Sequence, residues 1–213
     1  MRDYIETNKS AFNRLAHEYN KRWRKYLGHQ ETVLSPFEKK LKQDFEAPIR
    51  VLDVGCGAGL DSYILTEHDF QVCGIDIAEK MVEYARQNAP RGSFEETDFF
   101  TYSNGQFHGI VIDAFLHLFP KADVPLVLNK AKSLLVPGGY GLVCTTKNED
   151  SNEGYFEKED YHGKVKRFRK FWTEQELKET LEESGLRIVD FYTDHEQVFS
   201  KIWMNALFRV GGE

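Results

Sequence analysis

The sequence predicts an α/β fold: a doubly wound, seven-stranded, mostly parallel sheet with its last strand antiparallel and a helical segment in front. Three observations carry this. From Ile49 onward, short apolar runs alternate with stretches of helical periodicity, the order that βα units impose on a parallel sheet. The first apolar run ends in three glycines within five residues, Gly55, Gly57 and Gly59, where a chain turns sharply from strand to helix. The last two strand-like runs are joined too closely for a parallel crossover, so they should pair antiparallel.

To about residue 46 the chain reads as helices. Phe12, Leu15, Ala16, Tyr19, Trp23, Tyr26 and Leu27 recur at helical spacing. Ser35-Pro36-Phe37-Glu38 has the form of a capping box with Pro at the first helical position, which predicts a new helix there with Phe37, Leu41 and Phe45 on its apolar face. Residues 51–54 form a buried strand, followed by a helix over 61–68. Strand 71–76 and helix 78–88 come next, the latter with Met81, Val82 and Ala85 on one side. Residues 93–97 make a weaker third strand, and 109–113 a fourth, apolar enough to lie inside a sheet. A helix over 123–135 stops at Pro137-Gly138-Gly139, before strand 140–146. Thr173-Glu174-Gln175-Glu176 is a second capping box, opening a helix that Gly185 ends; strands 186–193 and 200–210 complete the chain. Between them, residues 147–170 hold acids (Glu149, Asp150, Glu153, Glu157, Glu159, Asp160) and then bases (Lys164, Lys166, Arg167, Arg169, Lys170). They read as an exposed loop or as a lid on the ligand side of the sheet.

Composition bounds the whole. At 213 residues the chain fits one domain, 1–213, with a helical cover over 1–46, a binding core over 49–146 and a C-terminal helix and strand pair over 171–213. A chain of this length buries about 70% of its unfolded surface and needs no covalent staple. No apolar run approaches the roughly 18 residues of a membrane span. The first nine residues, through Lys9, lack the apolar core of a signal peptide, so the expected location is the cytoplasm. Cys56, Cys73 and Cys144 are odd in number and far apart, which argues against a disulfide framework or a metal site. With 28 basic and 34 acidic residues, the net charge of −6 argues against a nucleic-acid partner.

Open α/β sheets bind ligands beyond the carboxyl ends of their strands. There the glycine loop lets backbone approach a ligand closely, and Asp76, seventeen residues after Gly59, can accept from ribose hydroxyls. Loop and acid alone specify an adenosine-type ligand. A dinucleotide G-x-G-x-x-G fingerprint would need glycine where the chain has Leu60. Asp53 reads as a residue that orients the loop, and Cys56 as a small side chain rather than a nucleophile.

Five segments in order resemble the motifs of class I S-adenosylmethionine-dependent methyltransferases: 51–59, 74–78, 97–99, 112–117 and 134–139. The resemblance implies a Rossmann-like sheet with S-adenosyl-L-methionine as cofactor. It implies that Gly55, Cys56, Gly57 and Gly59 cradle the cofactor. Asp76 would hold the ribose and Asp98 with Phe99 the adenine, with Ile77 and Met81 also binding the cofactor. Asp113 and His117 would lie near the methionine moiety and the methyl group, with Tyr19 closing from the cover. His117 is thereby a candidate general base; the plainer alternative is a half-buried histidine bonded to backbone. Tyr19, Trp23 and Tyr26 share a helical stripe that ordinary packing also explains. Lys21-Arg22-Trp23-Arg24-Lys25 reads as a solvated helix face.

Asp113-Ala114-Phe115-Leu116 differs from the Pro-Pro-Tyr motif of base amino methyltransferases, and no Pro-Cys nucleophile follows the fourth strand. The sequence is most similar to the small-molecule, quinone-biosynthesis-like branch, which implies a small-molecule methyl acceptor. An RNA or protein methyltransferase, a cofactor-binding module without chemistry, and an NAD-linked oxidoreductase are the alternatives.

Overall fold

The computed structural model describes residues 2–158 and 164–211. The strands are β1 (Arg50–Val54), β2 (Gln71–Asp76), β3 (Ser93–Glu96), β4 (Phe107–Asp113), β5 (Leu135–Thr146), β6 (Asn152–Lys158), β7 (Val165–Phe171), β8 (Arg187–Glu196) and β9 (Lys201–Arg209). Seven of them form one sheet in the order β3-β2-β1-β4-β5-β9-β8, and β6 and β7 form a separate hairpin. β1 is parallel to β2 and β4, β2 to β3, and β4 to β5. β9 lies antiparallel between β5 and β8. This is the predicted sheet, six strands one way and the last reversed. The strand order reverses at β1 and β4, so a crevice opens beyond their carboxyl ends.

Period-two alternation along the strands builds two cores. Val51, Val111, Leu142 and Leu207 face one way, onto Leu34, Phe37 and Leu41 of α2 (Leu27–Asp44) and Ile64 and Leu65 of α3 (Leu60–Glu67). Leu52, Ile110, Val143 and Phe208 face the other way, onto α5 (Val124–Ser133) and α6 (Glu174–Glu183). α4 (Glu79–Asn88) covers β2 and β3. Thr173 caps α6 as predicted: its Oγ1 accepts from the Glu176 N–H at 3.2 Å.

Three expectations need correction. Pro36 does not start a helix but sits inside α2. Losing one backbone donor there is outweighed by a continuous buried face of Val33, Leu34, Phe37 and Leu41 on both sides of it. Glu38, rather than completing a capping box, lies 2.9 Å from Nδ1 of His68. Pro137, Gly138 and Gly139 fall within β5, whose register with β4 shifts between Phe107 and Gly109. The described part of 147–170 is not a plain loop: it contains most of the β6–β7 hairpin. β7 is docked on α1 (Asp3–Arg22), with Val165 packed on Ala11 and Leu15 and the Phe168 ring 5.5 Å from that of Tyr4. Glu159 and Asp160 lie outside the described residues. Between α1 and α2 runs a 3-10 turn, Trp23–Tyr26. Among the described residues no helix is long and apolar enough to cross a membrane.

Candidate active site

The glycine loop is fastened to the neighbouring strand. Gly55 and Cys56 both donate their N–H to the carbonyl of Ile75, at 2.8 and 3.0 Å. Gly57 has φ +52°, in the left-handed region that favours glycine, and donates its N–H to Asp76 Oδ2 at 3.0 Å. The other oxygen of Asp76 accepts from the Ala78 N–H at 2.8 Å. The acid at the end of β2 and the loop after β1 thus form one wall.

This wall belongs to a cavity of about 290 Å³. Ligand pockets usually measure about 300–1,000 Å³, so the size suits a small molecule. Of the residues singled out in the sequence, Tyr19, Gly55, Cys56, Gly57, Asp76, Ile77, Met81, Asp98, Phe99, Asp113 and His117 line this cavity. Gly59 faces elsewhere. With φ +87°, a Cβ there would meet Cα of Ala85 at 3.0 Å, so this glycine lets α4 approach the loop closely. Asp98 lines the cavity and also accepts from the Phe100 N–H at 2.9 Å, capping its own turn.

Buried carboxylates crowd one end. Asp53 accepts from the Ser62 hydroxyl at 2.6 Å, and burial pushes its carboxyl up to about 6. Asp113 accepts from the Gln30 amide at 3.3 Å; burial, and then the charge of Asp53, push it up to about 7. Burial raises Asp76 to about 6 despite its N–H partners. Asp61 is 6% exposed and also raised, by burial and then by Asp113. Its Oδ1 has no hydrogen-bond partner among the described residues. Carboxylates held together at low dielectric bind a cation favourably, because it offsets both desolvation and mutual repulsion. Burial pushes the Cys56 thiol up as well, which suits a small wall residue rather than a nucleophile.

Aromatic and basic side chains line the cavity as well. Tyr19, Trp23 and Tyr26 all reach the cavity from the cover. Arg22 does too, so the run from Lys21 to Lys25 is not wholly a solvated face. His117, in the 3-10 turn Leu116–Leu118, is buried rather than half-buried, with Nδ1 3.4 Å from Thr145 Oγ1. Just before it, Ala114 holds φ +48°, a strained value for a residue with a Cβ. Sequence reasoning missed Asp61, although it follows the glycine loop directly. It also missed that Arg167 and Arg169, noted only as part of a basic stretch, face this cavity.

Fold and site together define an α/β domain whose glycine loop and strand-end acid form one wall of a cavity that residues of the N-terminal helices also line. The family model described as a methyltransferase domain matches residues 16–190, so the chain belongs to that family. Over 121 residues it is 33% identical to glycine N-methyltransferase of Mus musculus, covering 47% of this chain and 41% of that protein. Over 157 residues it is 30% identical to the ubiquinone biosynthesis O-methyltransferase of Dinoroseobacter shibae, covering 67% of this chain and 61% of that protein. The matches thus span about two fifths to three fifths of these curated relatives' lengths. Among solved structures, the Burkholderia thailandensis 1,6-didemethyltoxoflavin-N1-methyltransferase, with S-adenosylhomocysteine bound, superposes with a TM-score of 0.74 at 19% identity, covering 99% of this chain and 90% of that one. The Synechocystis magnesium protoporphyrin IX methyltransferase, also with S-adenosylhomocysteine, gives 0.72 at 19% identity, covering 98% and 100%. At such identities the likeness is one of fold. The residues present fit S-adenosylmethionine. The unpartnered oxygen of Asp61 and the acids beside it suit a cationic ligand, and the open space at Gly57 suits close backbone contact.

Proposed function

We propose that this domain transfers the methyl group of S-adenosylmethionine to a small-molecule nucleophile. The observation that carries the reading is the continuity of one small cavity from the glycine loop and Asp76 to the aromatic side chains and His117, beneath α1 and β7. A covered cavity of this size favours a small acceptor over a polymer, and the net charge of −6 favours it over RNA. The likeness to a ubiquinone biosynthesis O-methyltransferase agrees with a small-molecule branch of the family.

When bound, S-adenosylmethionine would supply the electrophile, a methyl carbon on a cationic sulfur that is also its leaving group. The chain's task is then alignment. Gly55 to Ala58 bring backbone against the donor, Asp76 accepts from the ribose hydroxyls, and Asp98 with Phe99 holds the adenine. Asp61 and Asp113 hold the positively charged methionine end. Phe115, Phe119 and Trp23 exclude water, which strengthens every charge interaction inside. Fixing donor and acceptor in this way can remove several kcal/mol of barrier. His117 receives the proton that an O–H or N–H acceptor releases.

Turnover on a metabolite panel, read as S-adenosylhomocysteine formed, tests the activity; calorimetry should show S-adenosylhomocysteine binding and no binding of NAD. If His117 is the base, His117→Ala lowers kcat by roughly 10²–10⁴ while affinity for S-adenosylhomocysteine stays nearly constant. A loss below about tenfold would leave His117 with a packing role only.

A further inference from the structure

Arg167 is a buried cation that no anion among the described residues pairs with. It is 5% exposed and lines the cavity from β7. Its interaction among the described residues is with the Phe12 ring, whose centroid lies 6.0 Å from the guanidinium carbon. No carboxylate of the described residues pairs with it. A guanidinium keeps its proton at any accessible pH, so burial cannot be relieved by neutralisation. Desolvating a full charge costs far more than one distant ring contact returns. The charge therefore awaits an anion that arrives with a ligand.

Its surroundings say which ligand. Arg169, two residues along and so on the same side of β7, also lines the cavity and donates from Nη2 to Thr146 Oγ1 at 2.8 Å. Glu196, an acid that also lines the cavity, accepts from the backbone N–H groups of Val198 and Phe199. The acids Asp53, Asp61 and Asp113 gather instead at the ends of β1 and β4 and the start of α3. The cavity thus carries acids at the ends of β1 and β4 and arginines on β7. Phe12, Phe115 and Phe119 also line it.

We propose that the methyl acceptor is an anionic small molecule whose carboxylate or phosphate is held by Arg167, with its carbon skeleton against these phenylalanines. A guanidinium matches both oxyanions bidentately, and a lysine does not. The proposal rests on the reading of the cavity as a methyl-transfer site, and it deepens that reading by naming the acceptor's charge.

The test uses the full chain loaded with S-adenosylhomocysteine and titrated with benzoate, phenyl phosphate and benzamide in calorimetry. At least one anion should bind about tenfold or more tighter than the neutral benzamide, and which anion it is distinguishes carboxylate from phosphate. Arg167→Met should abolish that preference while affinity for S-adenosylhomocysteine stays within about twofold; Arg167→Lys should keep part of it. Equal binding of all three probes to the wild type overturns the proposal without any variant. So does an Arg167→Met protein that keeps the preference, or one that loses S-adenosylhomocysteine instead, since Arg167 would then serve the donor's own carboxylate. Failure of the wild type to bind S-adenosylhomocysteine sinks the methyl-transfer reading and this proposal together. Binding it without anion preference sinks this proposal alone.

Discussion

At the residue scale, two positions separate a ligand-binding role from a structural one. Asp76 already accepts two backbone N–H groups, which would be enough to explain a strand-end carboxylate. It nonetheless lines the cavity, and burial holds its carboxyl up at about 6, a cost that a purely structural acid would not need. If it accepts from ribose, Asp76→Ala lowers affinity for S-adenosylhomocysteine by about tenfold or more, since charge-assisted hydrogen bonds are each worth about 1.5–3 kcal/mol. Unchanged affinity in a folded variant returns Asp76 to loop fastening alone. Gly57 makes the complementary case. A Cβ there meets nothing closer than 3.9 Å, so a side chain would stand in the cavity rather than clash with protein. Gly57→Val should therefore abolish cofactor binding, with a stability cost of only about 1–3 kcal/mol from its positive φ. Retained binding in calorimetry rejects the close-approach argument. The places of these two residues in the cavity wall were legible because glycine spacing and a strand-end acid are local signals. Asp61 and Arg167 were not: what marks them is, among the described residues, a buried Oδ1 without a hydrogen bond and a buried guanidinium without a carboxylate, which depend on contacts far away in sequence.

At the element scale, the hairpin decides how the cavity is closed, and Asn8 on α1 is its clamp. Asn8 Oδ1 accepts from the Phe168 N–H at 2.8 Å, and its Nδ2 donates to the Leu118 carbonyl at 3.2 Å. One buried amide thus ties cover, hairpin and the turn carrying His117. Asn8→Leu leaves a buried N–H and a carbonyl unpaired, at about 1–3 kcal/mol for each such group. Hydrogen exchange should quicken in 165–170 and 116–118 while β1, β4 and β5 keep their protection. Uniform acceleration across the sheet would mean that the clamp belongs to the global core instead. The hairpin itself was hidden in the sequence for a physical reason. Its strands alternate charged residues with few apolar ones, because β6 is largely exposed and β7 buries its inner face on α1. β1, β4 and β5, buried on both faces, read as continuous apolar runs and were recognisable at once. Pro36 misled similarly: a start signal was visible, but the tertiary face that carries the helix through it was not.

At the scale of the whole molecule, burying several carboxylates around one cavity couples folding, pH and ligand. Asp53, Asp76 and Asp113 are held at about 6, 6 and 7, above the roughly 4 expected in an unfolded chain. Between those limits the folded protein binds more protons than the unfolded one, so stability present at low pH is lost as pH rises through the folded values. The ligand-free protein should accordingly lose stability from pH 5 to pH 8. A net loss of about 2 kcal/mol lowers Tm by about 4–8 °C in a chain of this size. A cationic donor reverses the sign of the problem, because it binds best when these carboxylates are ionised. Saturating S-adenosylmethionine should then raise Tm more at pH 8 than at pH 6. S-adenosylhomocysteine lacks the sulfonium charge and should show a smaller difference between the two pH values. Thermal melts at both pH values, with and without each ligand, check all three statements. A ligand-free Tm that is flat or rising from pH 5 to pH 8 would show that the acids are not held up by burial. An equal rescue by S-adenosylmethionine at both pH values would show that the donor's charge does not meet them.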